Sequence, residues 1–366
     1  MKLECSKDKL SEAVSKASRL ATNRNPGLPI LSCLLLENKN NRLTIKATNL
    51  EIGVCLDVPV KTEKPGSVAV PGEILNNLLT NLPSGKNIKI EGRDGEIVVA
   101  TEKNRSVIKT KDINDFPSIP ETKSDAFSVS TKDFTNGLKS VWYSSTQSSI
   151  KPELSSVFIY TDSGEMVFVA TDSFRLAEKR IKVKQNKDFG NVLLPYKNAL
   201  EIVRVLEDET GETNIFLDKN QISLSSDGIY ITSRLVDSSF PDYKQIISKE
   251  FETEAVILRQ DLISALKLAN VWSDKLNQIN FLVSPAKKDL EVRTRHSELG
   301  ENNCKLDAAL SGKELDISFN IKYIADCLSS ISSDSVSISL NDVSKPMVIR
   351  GVGDKSFLYL VMPMNR

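Results

Sequence analysis

The chain has 366 residues, 40% hydrophobic and 26% charged, and its 48 Lys plus Arg are balanced by 48 Asp plus Glu. This length predicts two or three domains, and the composition is too apolar for a disordered chain. A single histidine, His296, argues against histidine acid–base chemistry, and five cysteines without a C-x-x-C pair argue against a zinc site or a disulfide framework.

Cys5, Cys33, Cys55, Cys304 and Cys327 are therefore expected to be small buried thiols in a reducing compartment. The opening MKLECSKDKL has no apolar segment of the signal-peptide kind. The longest apolar stretch, LPILSCLLL, is far short of the roughly 20 residues of a membrane span. A cytoplasmic protein with no membrane contact is expected. If such a neutral chain meets DNA, its charges must be segregated in space.

Taken in chain order, the elements repeat three times. LECSKDKLSEAVSKAS, FSVSTKDFTNGLKSVWYS and AVILRQDLISALKLANVWS each read as a short strand entering a helix. Their apolar stripes are Leu10, Val14 and Ala17, then Phe134, Leu138 and Val141, then Leu262, Leu266 and Ala269. TIKATNLEI, VFVATDSFRL and LEVRTRHSEL follow, with Thr48, Thr171 and Thr294 at a constant spacing of 123. VAVPGEILNNLL, VLLPYKNALEIV and ISFNIKYIADCL are again strands entering helices, with Pro71, Pro195 and Asn320 at the junctions. Asp94-Gly95, Ser163-Gly164 and Asp227-Gly228 mark hairpin turns between alternating runs. The pattern predicts an α+β protein of three tandem domains, 1–124, 125–250 and 251–366, each a doubled β-α-β-β-β unit.

Catalytic signatures are missing. There is no phosphate loop, no G-x-G-x-x-G, no G-x-S-x-G and no H-E-x-x-H. Asp172 faces Asn49 and Arg295 in the other copies, so it reads as a turn aspartate capping local backbone. No catalytic residue, metal or cofactor is expected. Lys7, Lys9, Lys16 and Arg19, Lys132 and Lys139, Arg259 and Lys267, and Lys197, Arg204 and Lys322 lie off the apolar stripes. A repeated, mildly basic helical surface suits sequence-blind contact with phosphates. Two other classes remain open at this point: a metal-dependent nuclease or phosphoesterase using scattered aspartates, and a peptide-binding scaffold without DNA.

The three repeats, VATDSFRLA, SFPDYKQII, FNIKYI and the terminal VMPM resemble the bacterial sliding clamp, the β subunit of DNA polymerase III, over the whole chain. The resemblance implies a head-to-tail homodimer closing a six-domain ring around duplex DNA, with helices lining the hole. It implies a processivity factor, loaded by a clamp loader, that tethers the replicative polymerase and other partners through short peptides. Carried over by motif, the peptide pocket is Leu154, Thr171, Ser173, Phe174, Arg175, Leu176, Pro241 and Ile246, with Asn320, Tyr323, Ser344, Pro346, Val361, Met362, Pro363 and Met364. The implied DNA contacts are Arg24, Lys151 and Lys197. The implied dimer edges are Lys103, Arg105 and Ile108 on one side and Val271, Trp272, Glu298 and Glu301 on the other. This chain departs from the family pattern with Ser106 for an aromatic, Ser173-Phe174 for Gly-His, and a closing Asn365-Arg366. In FLYLVMPMNR, the resemblance makes Phe357 to Leu360 a last strand and Val361 to Met364 a wall of the pocket.

Overall fold

The computed structural model describes residues 1–21, 27–122, 124–148, 150–184 and 189–364. Helices α1 (Lys7–Ser18), α2 (Gly72–Asn81), α3 (Thr131–Val141), α4 (Tyr196–Leu206), α5 (Arg259–Val271) and α6 (Ile321–Cys327) each follow one strand and precede three or more. The β-α-β-β-β unit thus occurs twice in every repeat, with Lys61–Lys64 and Ala308–Gly312 as additional strands. All strand pairings are antiparallel.

The apolar stripes make these helices part of the core. Leu10, Val14 and Ala17, Phe134, Leu138 and Val141, and Leu262, Leu266 and Ala269 are all buried. Residues three or four apart share one helix face, so each stripe lies on its sheet and removes a continuous apolar surface from water. The hairpin turns form where glycine supplies positive φ. Ser163 and Gly164 (φ 55° and 81°) join Asp162 to its partner Glu165.

The chain forms two compact units, residues 1–132 with 201–235, and 133–200 with 236–366. The first holds a five-stranded and an eight-stranded sheet, the second a nine-stranded and a four-stranded sheet. Each larger sheet is shared by two repeats. Ile52–Pro59 pairs with Ile229–Arg234 in one, and Arg175–Lys182 pairs with Phe357–Val361 in the other. That sharing is why three sequence repeats condense into two units.

Two details correct the sequence reading. Lys7 is only 6% exposed and does not join a basic helix face. Lys16 is engaged by Glu12 at 3.0 Å and Glu209 at 2.9 Å, so little of its charge is available to a ligand. The threonine triplet also diverges. Thr48 and Thr171 donate to the carbonyls of Ile52 and Arg175 across a tight turn. In the third copy the hairpin closes later, at His296 and Gly300, and the buried Thr294 hydroxyl has no hydrogen-bond partner among the described residues.

Gly137 in α3 is required by packing. A Cβ there would lie 2.4 Å from Cε2 of Phe168, whose ring packs edge-on against Phe134 at 5.6 Å between centroids. Gly137→Ala is expected to destabilise the protein by about 3 kcal/mol through overpacking, read from the midpoint of chemical denaturation. An unchanged midpoint would refute the packing account.

Candidate functional site

The site grows from the hairpin Glu165–Thr171 to Arg175–Lys182. Asp172 shapes its turn, with Oδ1 accepting the N–H groups of Phe174 and Arg175, both at 3.0 Å. Asn49 does the same for Glu51 and Ile52 in the first repeat, which confirms the capping role read from sequence. The turn forces Ser173 to φ 77°, a region that favours glycine. It leaves Phe174 61% exposed at the crest.

The strand Phe357–Val361 lies beside this hairpin, with Arg175 opposite Val361 and Leu176 opposite Leu360. Beyond it the Met362 N–H donates to the Phe174 carbonyl and the Met364 N–H to the Ser318 carbonyl, both at 2.8 Å. The tail is therefore held by main chain against the turn. Arg175 ties in α6. Its guanidinium donates to Asp172 (3.0 Å), Asp326 (2.5 Å) and the Tyr143 carbonyl (2.6 Å), and it lies 4.4 Å from the centre of the Tyr323 ring. Burial lowers the pKa of Arg175, but Tyr359, Asp326 and Asp172 outweigh it and raise the value. Burial likewise pushes the Tyr143 and Tyr359 hydroxyls well above their ordinary range. The Tyr359 hydroxyl donates to the Tyr323 carbonyl, and Asn320 caps α6 through the Lys322 N–H.

Of the pocket residues, the structure thus brings together Thr171, Ser173, Phe174, Arg175, Asn320, Tyr323, Met362, Pro363 and Met364. Pro241 and Ile246 are exposed and flank Tyr243, whose ring belongs to the same apolar cluster as Leu176 and Leu360. Ser344 is exposed in the turn leading to Met347, which pairs with Val361. Leu154, Leu176, Pro346 and Val361 are corrected to buried positions: Leu176 is 1% exposed and lies opposite Leu360, and Val361 lies opposite Arg175. Sequence reasoning missed Tyr143 and Asp326, the two remote partners of Arg175, and no motif marks either.

Arg24 lies outside the described residues. Lys151 and Lys197 are both exposed, and the Ser155 carbonyl, in the turn that starts at Lys151, accepts the first N–H of α4 at 3.0 Å. On the first unit, Lys103 and Arg105 are exposed at the outer strand Arg105–Lys109. Ile108 is corrected: it is 5% exposed and turned inward, whereas Val107 is 45% exposed. On the second unit, Val271, Glu298 and Glu301 are exposed, and the Trp272 ring covers Gly300 in the adjoining hairpin. The exposed Leu299 in that hairpin was not anticipated.

In fold the chain is a bacterial sliding clamp. It superposes on the DNA polymerase III beta subunit of Thermotoga maritima with a TM-score of 0.93 at 25% identity, covering 100% of this chain and 99% of that one. The sliding clamp of Pseudomonas aeruginosa bound to griselimycin also gives a TM-score of 0.93 at 25% identity, with 100% of both chains covered. Residues 1–120, 128–242 and 244–365 match the N-terminal, central and C-terminal domains of the DNA polymerase III beta subunit, and the chain belongs to that family. Relatives include the beta sliding clamps of Synechococcus elongatus (26% identical over 374 residues, 100% of this chain and 99% of the relative) and Escherichia coli K12 (27% over 346 residues, 93% of each). Family membership leaves the nuclease reading without support. Among the described residues no group of three His, Cys, Asp or Glu could hold a metal ion, and no helix is long and apolar enough to cross a membrane.

Ser173→Gly is expected to stabilise the protein by about 1 kcal/mol by relieving the left-handed conformation, measured by thermal unfolding. A destabilised Ser173→Gly variant would mean that the serine side chain holds the turn.

Proposed function

We propose that this chain is the DNA sliding clamp of a replicative polymerase, a non-catalytic processivity factor of the cytoplasm. Two copies close head to tail into a six-domain ring around duplex DNA, put in place by a clamp loader. Partner proteins dock short peptides on the site at Phe174, Tyr323 and Met362–Met364. Lys151, Lys197 and Arg24 contact the DNA without reading its sequence. The three sequence domains, 1–124, 125–250 and 251–366, are the units of the ring.

One observation carries this reading. In the first two repeats the last strand of the first half pairs with the last strand of the second half of the next repeat, as Gly53 opposite Thr232 and Leu176 opposite Leu360 show. Applied twice, the rule leaves two such strands without a partner of this kind: Gly300–Leu306 of the third repeat and Arg105–Lys109 of the first. Each is the outer strand of its sheet. A second copy satisfies both, which turns two sticky edges into a specific joint. The register carries over as well. Gly53, Leu176 and Asn302 face Thr48, Thr171 and Thr294. Val107 faces Val98 as Thr232 faces Ser223. Asn302 then lies opposite Val107 of the partner subunit and Glu301 opposite Ile108 of the partner subunit, with Lys109 of the partner subunit one position further on, opposite Gly300. Such rim ion pairs contribute about 0.2–1 kcal/mol each, so closure rests mainly on backbone pairing.

The combined Val107→Cys and Asn302→Cys variant is expected to form a disulfide between subunits under mild oxidation, because opposed strand residues have suitable Cα spacing. The closed, cross-linked ring should stay on nicked circular DNA and leave once the circle is cut. Equal retention on circular and linear DNA would refute topological tethering, and absence of the cross-link would refute the register.

At the partner site, Met362→Ala and Tyr323→Ala are each expected to weaken a labelled clamp-binding peptide by about 1–3 kcal/mol, with dimer mass unchanged by light scattering. Leu176→Ala instead lowers stability, by about 2–5 kcal/mol, since it opens a cavity in buried core. Normal peptide affinity in both surface variants would reject the site.

A further inference from the structure

Pro241 and Ile246 sit on a strap, residues 240–247, that crosses one face of the nine-stranded sheet. The strap's apolar contacts are extensive. Phe240 stacks on Phe158 with 4.9 Å between ring centroids, and Tyr243 shares a cluster with Val169, Leu176 and Leu360. Contacts of this kind hold the strap down on the sheet, but they have no direction and leave its position along the sheet loosely set.

That position is fixed by oxygens buried inside the apolar contact. The Tyr243 hydroxyl donates to Oε2 of Glu178 and, its one proton spent there, accepts from the Tyr160 hydroxyl at 2.7 Å. Glu178 is 7% exposed, and its other oxygen accepts from Nε of Arg180 at 2.7 Å. Burial, and then the Glu178 carboxylate, push the Tyr243 hydroxyl far above its ordinary range, so it keeps the proton that it donates. Lys244 adds a tie at the surface, with Nζ 3.5 Å from Asp162 and 5.4 Å from the centre of the Tyr160 ring. Glu178 lies two residues beyond Leu176 on the strand that begins at Arg175. The strap is thereby pinned to the strand that leads out of the Asp172 turn.

The first repeat has a strap without this anchor. Aligning Phe116-Pro117 with Phe240-Pro241 puts Ile119 in the place of Tyr243, and the spacing of 123 puts Cys55 and Glu37 in the places of Glu178 and Tyr160. Ile119 rests over Gly53, the counterpart of Leu176. The fold therefore closes one strap without the tyrosine–glutamate bond, and the bond is present at the strap that carries Pro241 and Ile246. We propose that Tyr243 is a positioning residue of the partner-peptide site, its buried bond to Glu178 holding Pro241 and Ile246 in place as a preformed wall. A wall set before the peptide arrives spares the cost of ordering it on binding. This role rests on the partner-peptide reading above.

The probe is a fluorescein-labelled heptapeptide selected from a random library on the wild-type protein and no longer bound by Tyr323→Ala. Tyr243→Phe removes one oxygen and keeps the ring, and is expected to weaken the probe about tenfold. In an Ile246→Ala background the same change should cost no more than about twofold, because the wall it positions is already lost. A hydroxyl that only stabilised the fold would cost the same in both backgrounds. Amide exchange in Tyr243→Phe should quicken at residues 240–247 and stay unchanged at Phe357–Val361. Normal probe affinity in Tyr243→Phe, an equal loss in both backgrounds, or faster exchange at Phe357–Val361 each overturns the positioning role. An unfolded Tyr243→Phe variant would make the bond a requirement of the fold and overturn it too. If no library peptide depends on Tyr323, the partner-peptide reading falls and takes this role with it, whereas a probe that depends on Tyr323 but not on Tyr243 overturns this role alone.

Discussion

Antiparallel pairing between terminal strands of neighbouring repeats is the contact on which the rest of this structure depends. A half-repeat ends in a strand with one side exposed, and an exposed strand edge is a hazard unless another strand covers it. For Ile52–Pro59 and Arg175–Lys182 the cover comes from the neighbouring repeat, so the repeats are not laid out as three separate bodies. Phe357–Val361, buried along its whole length, shows the result. It is flanked by Arg175–Lys182 and by Met347–Gly351 and is the seam of a nine-stranded sheet. Any change that shifted its register by one residue would exchange buried and exposed faces and move the tail that follows it.

The partner site inherits its geometry from that seam. Leu176 opposite Leu360 sets the position of the hairpin, and Asp172 then fixes the crest of the turn by accepting two N–H groups. Arg175 adds a lateral constraint, since its five donors reach Asp172, Asp326 and the Tyr143 carbonyl while its plane packs on Tyr323. Such a fork holds α6 to the hairpin without a large apolar contact. The surface that remains, with Phe174, Tyr323 and the methionines, is shaped before any ligand arrives, which lowers the entropic cost of binding.

Much of this could be read from the residues. The triple repeat, the strand–helix–strand order and the apolar stripes were legible because burial periodicity is a local signal. The Asx turn at Asp172 was legible because Asn49 stands in the same place. Other features depended on distant parts of the chain. Nothing near Arg175 announces Asp326, which reaches it only through the fold. Ile108 and Val107 differ by one step along a strand, and only the pairing decides which faces inward. Lys16 pairs with Glu12 along its own helix, yet its second partner, Glu209, lies far away in sequence. Leu176 and Val361 belong to the site's motif but not to its surface, since the seam that positions them also covers them.

Pro363 gives the tail a property of its own. Between Met362 and Met364, whose N–H groups are both committed to carbonyls of the fold, it contributes no N–H at all. Met362–Met364 thus offers an incoming chain acceptors and side chains but no free main-chain donor. A visiting peptide cannot extend the sheet here by strand addition, which requires donors and acceptors in alternation. Recognition is left to the shapes of side chains, so partners of quite different backbone conformation can share one landing place.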